Sequence, residues 1–157
     1  MTEFRLVQTQ PLALNASLSV APAGPPHTYL GVATSLLPGL RALCTAPEDC
    51  SVALALVAAH VAECSLKAYL SRAGSDAGLR EKKVRHNLEL LWSRAQADGL
   101  GVDATPPGWL GVLHRLHDDP YPLRYARNIY GIATTSAQPM CGELEALLET
   151  VRACIAQ

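Results

Sequence analysis

Apolar residues recur at three- and four-residue spacing along most of this chain. From His27, the positions Tyr29, Leu30, Ala33, Leu36, Leu37, Leu40 and Leu43 share one face of a helix, and Pro38 inside it predicts a kink. Thr45-Ala46-Pro47-Glu48 reads as a capping box with proline in the first turn. A second helix is therefore predicted from about 48 to Arg72, ending at Gly74. Its middle is apolar on nearly every face, with Val52, Leu54, Leu56, Val57, Val61, Leu66, Tyr69 and Leu70, the pattern of a helix surrounded by others. One polar stripe interrupts it: His60, Glu63, Lys67 and Ser71, spaced so that all four lie on one side.

After a polar, basic connection over 74–85, a third helix is predicted from His86-Asn87, with Leu88, Leu91, Trp92 and Ala95 inward. Gly99 ends it, and Leu100 folds back as the apolar contact of a Schellman motif. Thr105-Pro106-Pro107-Gly108 marks a loop before a short helix from Trp109 to about Asp118, which Pro120-Tyr121-Pro122 terminates. The stretch 123–138 fits neither helical nor strand period. A last helix spans 139–156, with Leu144, Leu147, Leu148, Val151 and Ile155 on one face. Residues 1–26, broken by Pro11, Pro22, Pro25 and Pro26, read as an N-terminal arm or short hairpin. The predicted fold is all-α: an up-down helical bundle of about four long helices plus one short helix over 27–157, with a non-helical arm over 1–26.

Composition supports this picture. The chain has 157 residues, the size of one domain, and Ala and Leu, the best helix formers, dominate it while aromatics make up 5%. A net charge of −1 argues against a surface built wholly for nucleic acid, and 49% hydrophobic residues argue against a disordered tail. The longest uninterrupted apolar run, Val52 to Ala59, falls short of the roughly 20 residues that cross a bilayer, so no membrane span is expected. The N-terminus has no basic segment followed by an apolar one, so a cytoplasmic location is expected. The five cysteines contain no C-x-x-C pair and read as reduced thiols, most of them in helices.

Three sets of residues carry the motifs of a known family. His60-Val61-Ala62-Glu63-Cys64-Ser65-Leu66-Lys67 on the central helix is followed by His86-Asn87-Leu88 at a helix start, then by Leu123-Arg124-Tyr125. In that order they resemble the HEPN superfamily, nearest to its uncharacterised bacterial members, over roughly residues 27–157. The resemblance implies a homodimer, with roles ranging from RNA-cleaving toxins and defence proteins through nucleotidyltransferase partners to catalytically inactive scaffolds. It also implies that His86 and Arg124 come from neighbouring elements to meet the polar stripe. Active members of the family carry Arg-x(4–6)-His late in the bundle, where histidine moves a proton and arginine stabilises phosphorane charge. Here no histidine follows Arg124, because the last one in the chain is His117. Arg80 and His86 match the bare spacing, but in the connection after the central helix.

The expected function is accordingly a binding or interaction protein contacting RNA, a nucleotide or a partner protein. The alternative is a metal-independent ribonuclease with a displaced site, for which Arg80, His86 and Arg124 are the catalytic candidates. The polar network candidates are His60, Glu63, Lys67, His86, Arg124 and Tyr125, with Glu63 expected to meet Arg124. They read either as a buried network fixing helix register or as the floor of a cleft. Arg72, Arg80, Lys82, Lys83 and Arg85 form a candidate basic patch, for which a solvated charged loop is the commoner explanation. His114, His117 and Asp118 are metal-ligand candidates, against a plain polar helix end. No cofactor is expected.

Overall fold

The computed structural model describes residues 23–125 and 137–156. The expected arm over 1–26 falls outside them except for its last four residues, and most of the 123–138 stretch falls outside them too. The described residues form an all-α fold without strands: α1 (His27–Cys44), α2 (Ser51–Leu70), a 3-10 turn (Ala77–Leu79), α3 (Leu88–Ala97), α4 (Gly108–His117), the short α5 (Pro122–Tyr125) and α6 (Ala137–Ile155).

The central position expected for the second helix is observed, since α2 packs against α1, α3, α4 and α6. Its C-terminal part, 61–69, is buried on every side. The N-terminal part is different. Val52 and Leu56 are 53% and 39% exposed, so the expectation that Leu56 sits in the core is corrected. There Leu54, Ala55, Ala58 and Ala59 stay buried on one side while Val52, Ala53 and Leu56 face outward, a sidedness hidden in the sequence because both sides carry apolar residues. By length and composition α2 could cross a membrane, but 67% of its apolar window is buried inside this fold.

The capping box at Thr45 is also corrected. Thr45 instead closes α1, its hydroxyl donating back to the Arg41 carbonyl at 3.2 Å. Proline disfavours helical geometry in the residue before it, so the Ala46-Pro47 step interrupts the chain and α2 begins only at Ser51. There Asp49 Oδ1 accepts from the Ser51 amide at 3.0 Å. Pro38 lies inside α1, which continues to Cys44.

The start and end predicted for the third helix match the structure. The Asn87 side chain accepts from the Leu90 amide at 2.9 Å. Gly99, at φ +92°, adopts the left-handed turn, and the Leu100 amide bonds to the Ala95 carbonyl at 3.0 Å. Trp92 and Trp109 meet edge to face at 6.5 Å between ring centres, and Trp109 Nε1 donates to Glu143 of α6 at 2.7 Å.

The cysteine expectation is corrected as well. Cys44 and Cys141 form a disulfide between the end of α1 and the start of α6, with Cα atoms 6.7 Å apart. Residues 97 positions apart meet because α1 and α6 pack together, a proximity no local pattern shows. Cys64 is free and buried, while Cys50 and Cys154 are free and half-buried.

Tyr29 of α1 ties down the basic connection. Its hydroxyl donates to Asp76 Oδ2 at 2.8 Å, the same oxygen that accepts from Arg80 Nε at 3.0 Å. Burial and this hydrogen bond push the Tyr29 phenol up to about 12. An unfolded-chain tyrosine titrates near pH ~10. The phenol's contribution is therefore complete below about pH 10 and is lost as pH rises towards 12. Tyr29→Phe should flatten the alkaline fall in stability followed by denaturation across that range, and an unchanged fall would contradict the assignment. Within α2, Leu66→Ala should cost about 2–5 kcal/mol in chemical denaturation, because Leu66 is fully buried. Leu56→Ala should cost well under half of that, and equal costs would mean the two faces are misassigned.

Candidate functional site

A carboxylate inside an apolar helix needs partners, because an unpaired buried charge is costly. Glu63, 4% exposed near the middle of α2, has three. Lys67, one turn on, donates from Nζ to Oε1 at 2.6 Å, and this ion pair is itself buried. His86 donates from Nδ1 to Oε2 at 2.9 Å. His117, at the end of α4, donates from Nε2 to the same oxygen. Burial alone would push the Glu63 carboxyl up, but the hydrogen bonds from His117 and His86 and the Lys67 ammonium outweigh it. The carboxyl is held well below the usual carboxylate range.

His60 completes the group. Its ring lies 6.4 Å from that of His117, and its Nε2 is 3.9 Å from the Cys64 sulfur. Burial pushes the His60 pKa down; Glu63 opposes this, while His117, Arg124 and Lys67 add to it, so His60 favours the neutral ring. Burial and the Glu63 charge push the Cys64 thiol up to about 12. A ring nitrogen of His60, a carboxylate oxygen of Glu63 and a ring nitrogen of His117 all lie within 4.8 Å of one another.

His60 and His86 are half-buried, so the cluster reaches the surface on their side. The Tyr121 ring stands edge-on to His86 at 5.4 Å, and its hydroxyl accepts from Arg85 at 3.4 Å. Tyr125 meets Tyr121 at 6.0 Å and is 63% exposed. Arg124, also exposed, lies 5.8 Å from the Tyr121 ring centre. This face combines two tyrosines with two arginines.

Several sequence expectations meet here and several fail. His60, Glu63, Lys67 and His86 do come together. Arg124 does not pair with Glu63: the place assigned to it is taken by His117, and Arg124 with Tyr125 lies on the exposed rim. The reason is that Pro122 starts the four-residue α5, which carries Arg124 outward. The His114–His117 pair is split. His117 is buried on Glu63, whereas His114 lies 3.9 Å from both Glu89 and Asp118. Leu110, Leu113 and His117, spaced three and four, form the buried side of α4, and His114 stands at its edge beside Glu89 and Asp118. That shared stripe was the available signal for His117. Nothing local announced Tyr121.

The basic patch does not converge. Arg72 pairs with Asp98 at 2.5 Å and Arg80 with Asp76 at 3.0 Å, leaving Lys82, Lys83 and Arg85 exposed. Arg80 is thereby engaged with Asp76 rather than with His86.

No protein-family model, curated protein or solved structure matches the chain.

Removing one partner of the buried pair should be expensive. Glu63→Gln and Lys67→Met should each cost about 3–5 kcal/mol, and the double variant less than the sum of the two. Arg124→Met should stay within about 0.5 kcal/mol, as for an exposed side chain. Urea titrations of the four proteins decide this, and additive small losses at Glu63 and Lys67 would contradict the buried pair.

Proposed function

We propose that the chain is a HEPN-like up-down helical bundle, working as a homodimer, that binds single-stranded RNA on the face built from Tyr121, Tyr125, Arg85 and Arg124. The observation that carries this reading is the Tyr121–Tyr125 ring pair flanked by two arginines and backed by His86. Unpaired bases stack on exposed aromatic rings, while arginines neutralise the phosphates between them. The overall charge of −1 is compatible with this, because such binding needs local rather than global positive charge. The motifs that resemble the HEPN superfamily contribute Glu63, Lys67 and His86 to the cluster beneath this face.

A specific observation also favours the ribonuclease reading. Glu63 holds His86 through Nδ1, which leaves Nε2 without a hydrogen-bond partner among the described residues. A carboxylate-oriented imidazole beside Arg85 is suited to take the proton of a ribose 2′-hydroxyl as that oxygen attacks phosphorus and the bond to the 5′-oxygen breaks, the leaving oxygen taking a proton from water. Binding is preferred because no late Arg-x(4–6)-His motif is present and Arg80 is committed to Asp76.

Fluorescence anisotropy with a labelled single-stranded RNA of about 12 nucleotides tests both readings. Tyr125→Ala should weaken binding about tenfold, as loss of one stacked base does. Arg124→Ala should lower the slope of log K against log salt by about 0.7. Binding that neither variant changes, or no binding at low salt, would overturn the proposal. In EDTA the RNA should stay intact; cleavage that His86→Ala abolishes would establish the ribonuclease instead.

A further inference from the structure

We infer that His60, Glu63 and His117 form a binding site for one divalent cation of the Zn2+ type. Two nitrogens and one oxygen, drawn from α2 and α4, already lie within 4.8 Å of one another. A borderline metal ion prefers such a donor set, whereas Mg2+ and Ca2+ require shells of oxygen.

The second observation is the excess of imidazole. Three histidines surround one carboxylate, with ring centres 6.4 Å and 5.4 Å from His117. Polar networks that serve structure alone satisfy their buried members. Here, among the described residues, His117 Nδ1 is buried without a partner, and the polar neighbour of the His60 ring, apart from the cluster itself, is a sulfur 3.9 Å away. The unpartnered Nδ1 gives the His117 ring a second place for its proton when Nε2 turns to a cation.

The remaining contacts fit the role of outer supports. Lys67 holds Oε1 at 2.6 Å, and His86 bonds to Oε2 at 2.9 Å, so the carboxylate is oriented before any ion arrives. An ion entering on Oε2 takes the place of the hydrogen bond from His117 Nε2; the proton of that bond moves to Nδ1 of the same ring, so the neutral imidazole ligates through Nε2. Three protein ligands leave the fourth tetrahedral position open to water. This site lies beneath the proposed RNA-binding face, with His86 between them, and the Zn2+ assignment does not rest on RNA binding.

Calorimetric titration of the full chain with ZnCl2, after EDTA treatment and dialysis, is the test. One Zn2+ per chain is expected, with a rise in melting temperature as Zn2+ is added. His60→Ala should bind at least about tenfold more weakly, since disturbing an outer support alone costs that much. It should also lose the melting shift while keeping its far-UV helix signal; His60 is half-buried, so its removal leaves the Glu63–Lys67–His117 core in place. His114→Ala should bind like the wild type. Absence of stoichiometric binding, wild-type affinity in His60→Ala, or loss of binding in His114→Ala would each overturn the assignment.

Discussion

The buried carboxylate of Glu63 is the constraint around which the other helices are arranged. An apolar helix surrounded by neighbours can rotate or slide with little change in buried area, because one alanine or leucine face resembles the next. A charge at its centre removes that freedom. Glu63 avoids a large desolvation cost only where Lys67 takes one oxygen while His86 and His117 take the other. Those two histidines lie at the turn before α3 and at the end of α4, so satisfying one carboxylate sets the register of both elements against α2. The Cys44–Cys141 disulfide joins α1 to α6 at a different place, where Arg41 and Glu145 also pair across the two helices at 2.7 Å.

Much of the scaffold was legible because its signals are local. Asn87 as a cap and Gly99 followed by Leu100 need only a few residues to specify them, and the structure has both. The failures differ in cause. Thr45 has the chemistry of a helix start and serves as a helix end, since the side-chain hydroxyl can bond forward or backward and Pro47 decides which. Leu56 has the spacing of a core residue and is exposed because the N-terminal half of α2 is covered on one side only. The deciding fact for Leu56 lies in what packs alongside, and for Thr45 in the proline two residues on.

The candidate site divides along the same line. A polar stripe on an apolar helix is visible in one segment, so His60, Glu63 and Lys67 could be picked out together. Which distant residue completes it depends on topology, and Arg124 and His117 are only seven positions apart in the chain. Charge favoured Arg124. Burial favours His117, because imidazole brings one N–H to the carboxylate without adding a second obligatory cation beside Lys67. A guanidinium there would carry five donors into a pocket that offers one carboxylate already shared.

The turn after α4 connects this buried cluster to the exposed face. Tyr121 has φ +56°, a left-handed conformation uncommon for a residue with a large side chain. Such a conformation persists only where its surroundings over-determine it. Here the Tyr121 amide donates to the Asp118 carbonyl at 2.7 Å, the ring stands against His86, and the hydroxyl accepts from Arg85. Each contact leads inward: Asp118 follows His117, and both His117 and His86 hold Glu63. The conformation that presents Tyr121 and Tyr125 to solvent therefore depends on the same carboxylate that orders the core. A change at Glu63 would be felt first where the chain leaves α4, and the rim of the proposed binding face is built there.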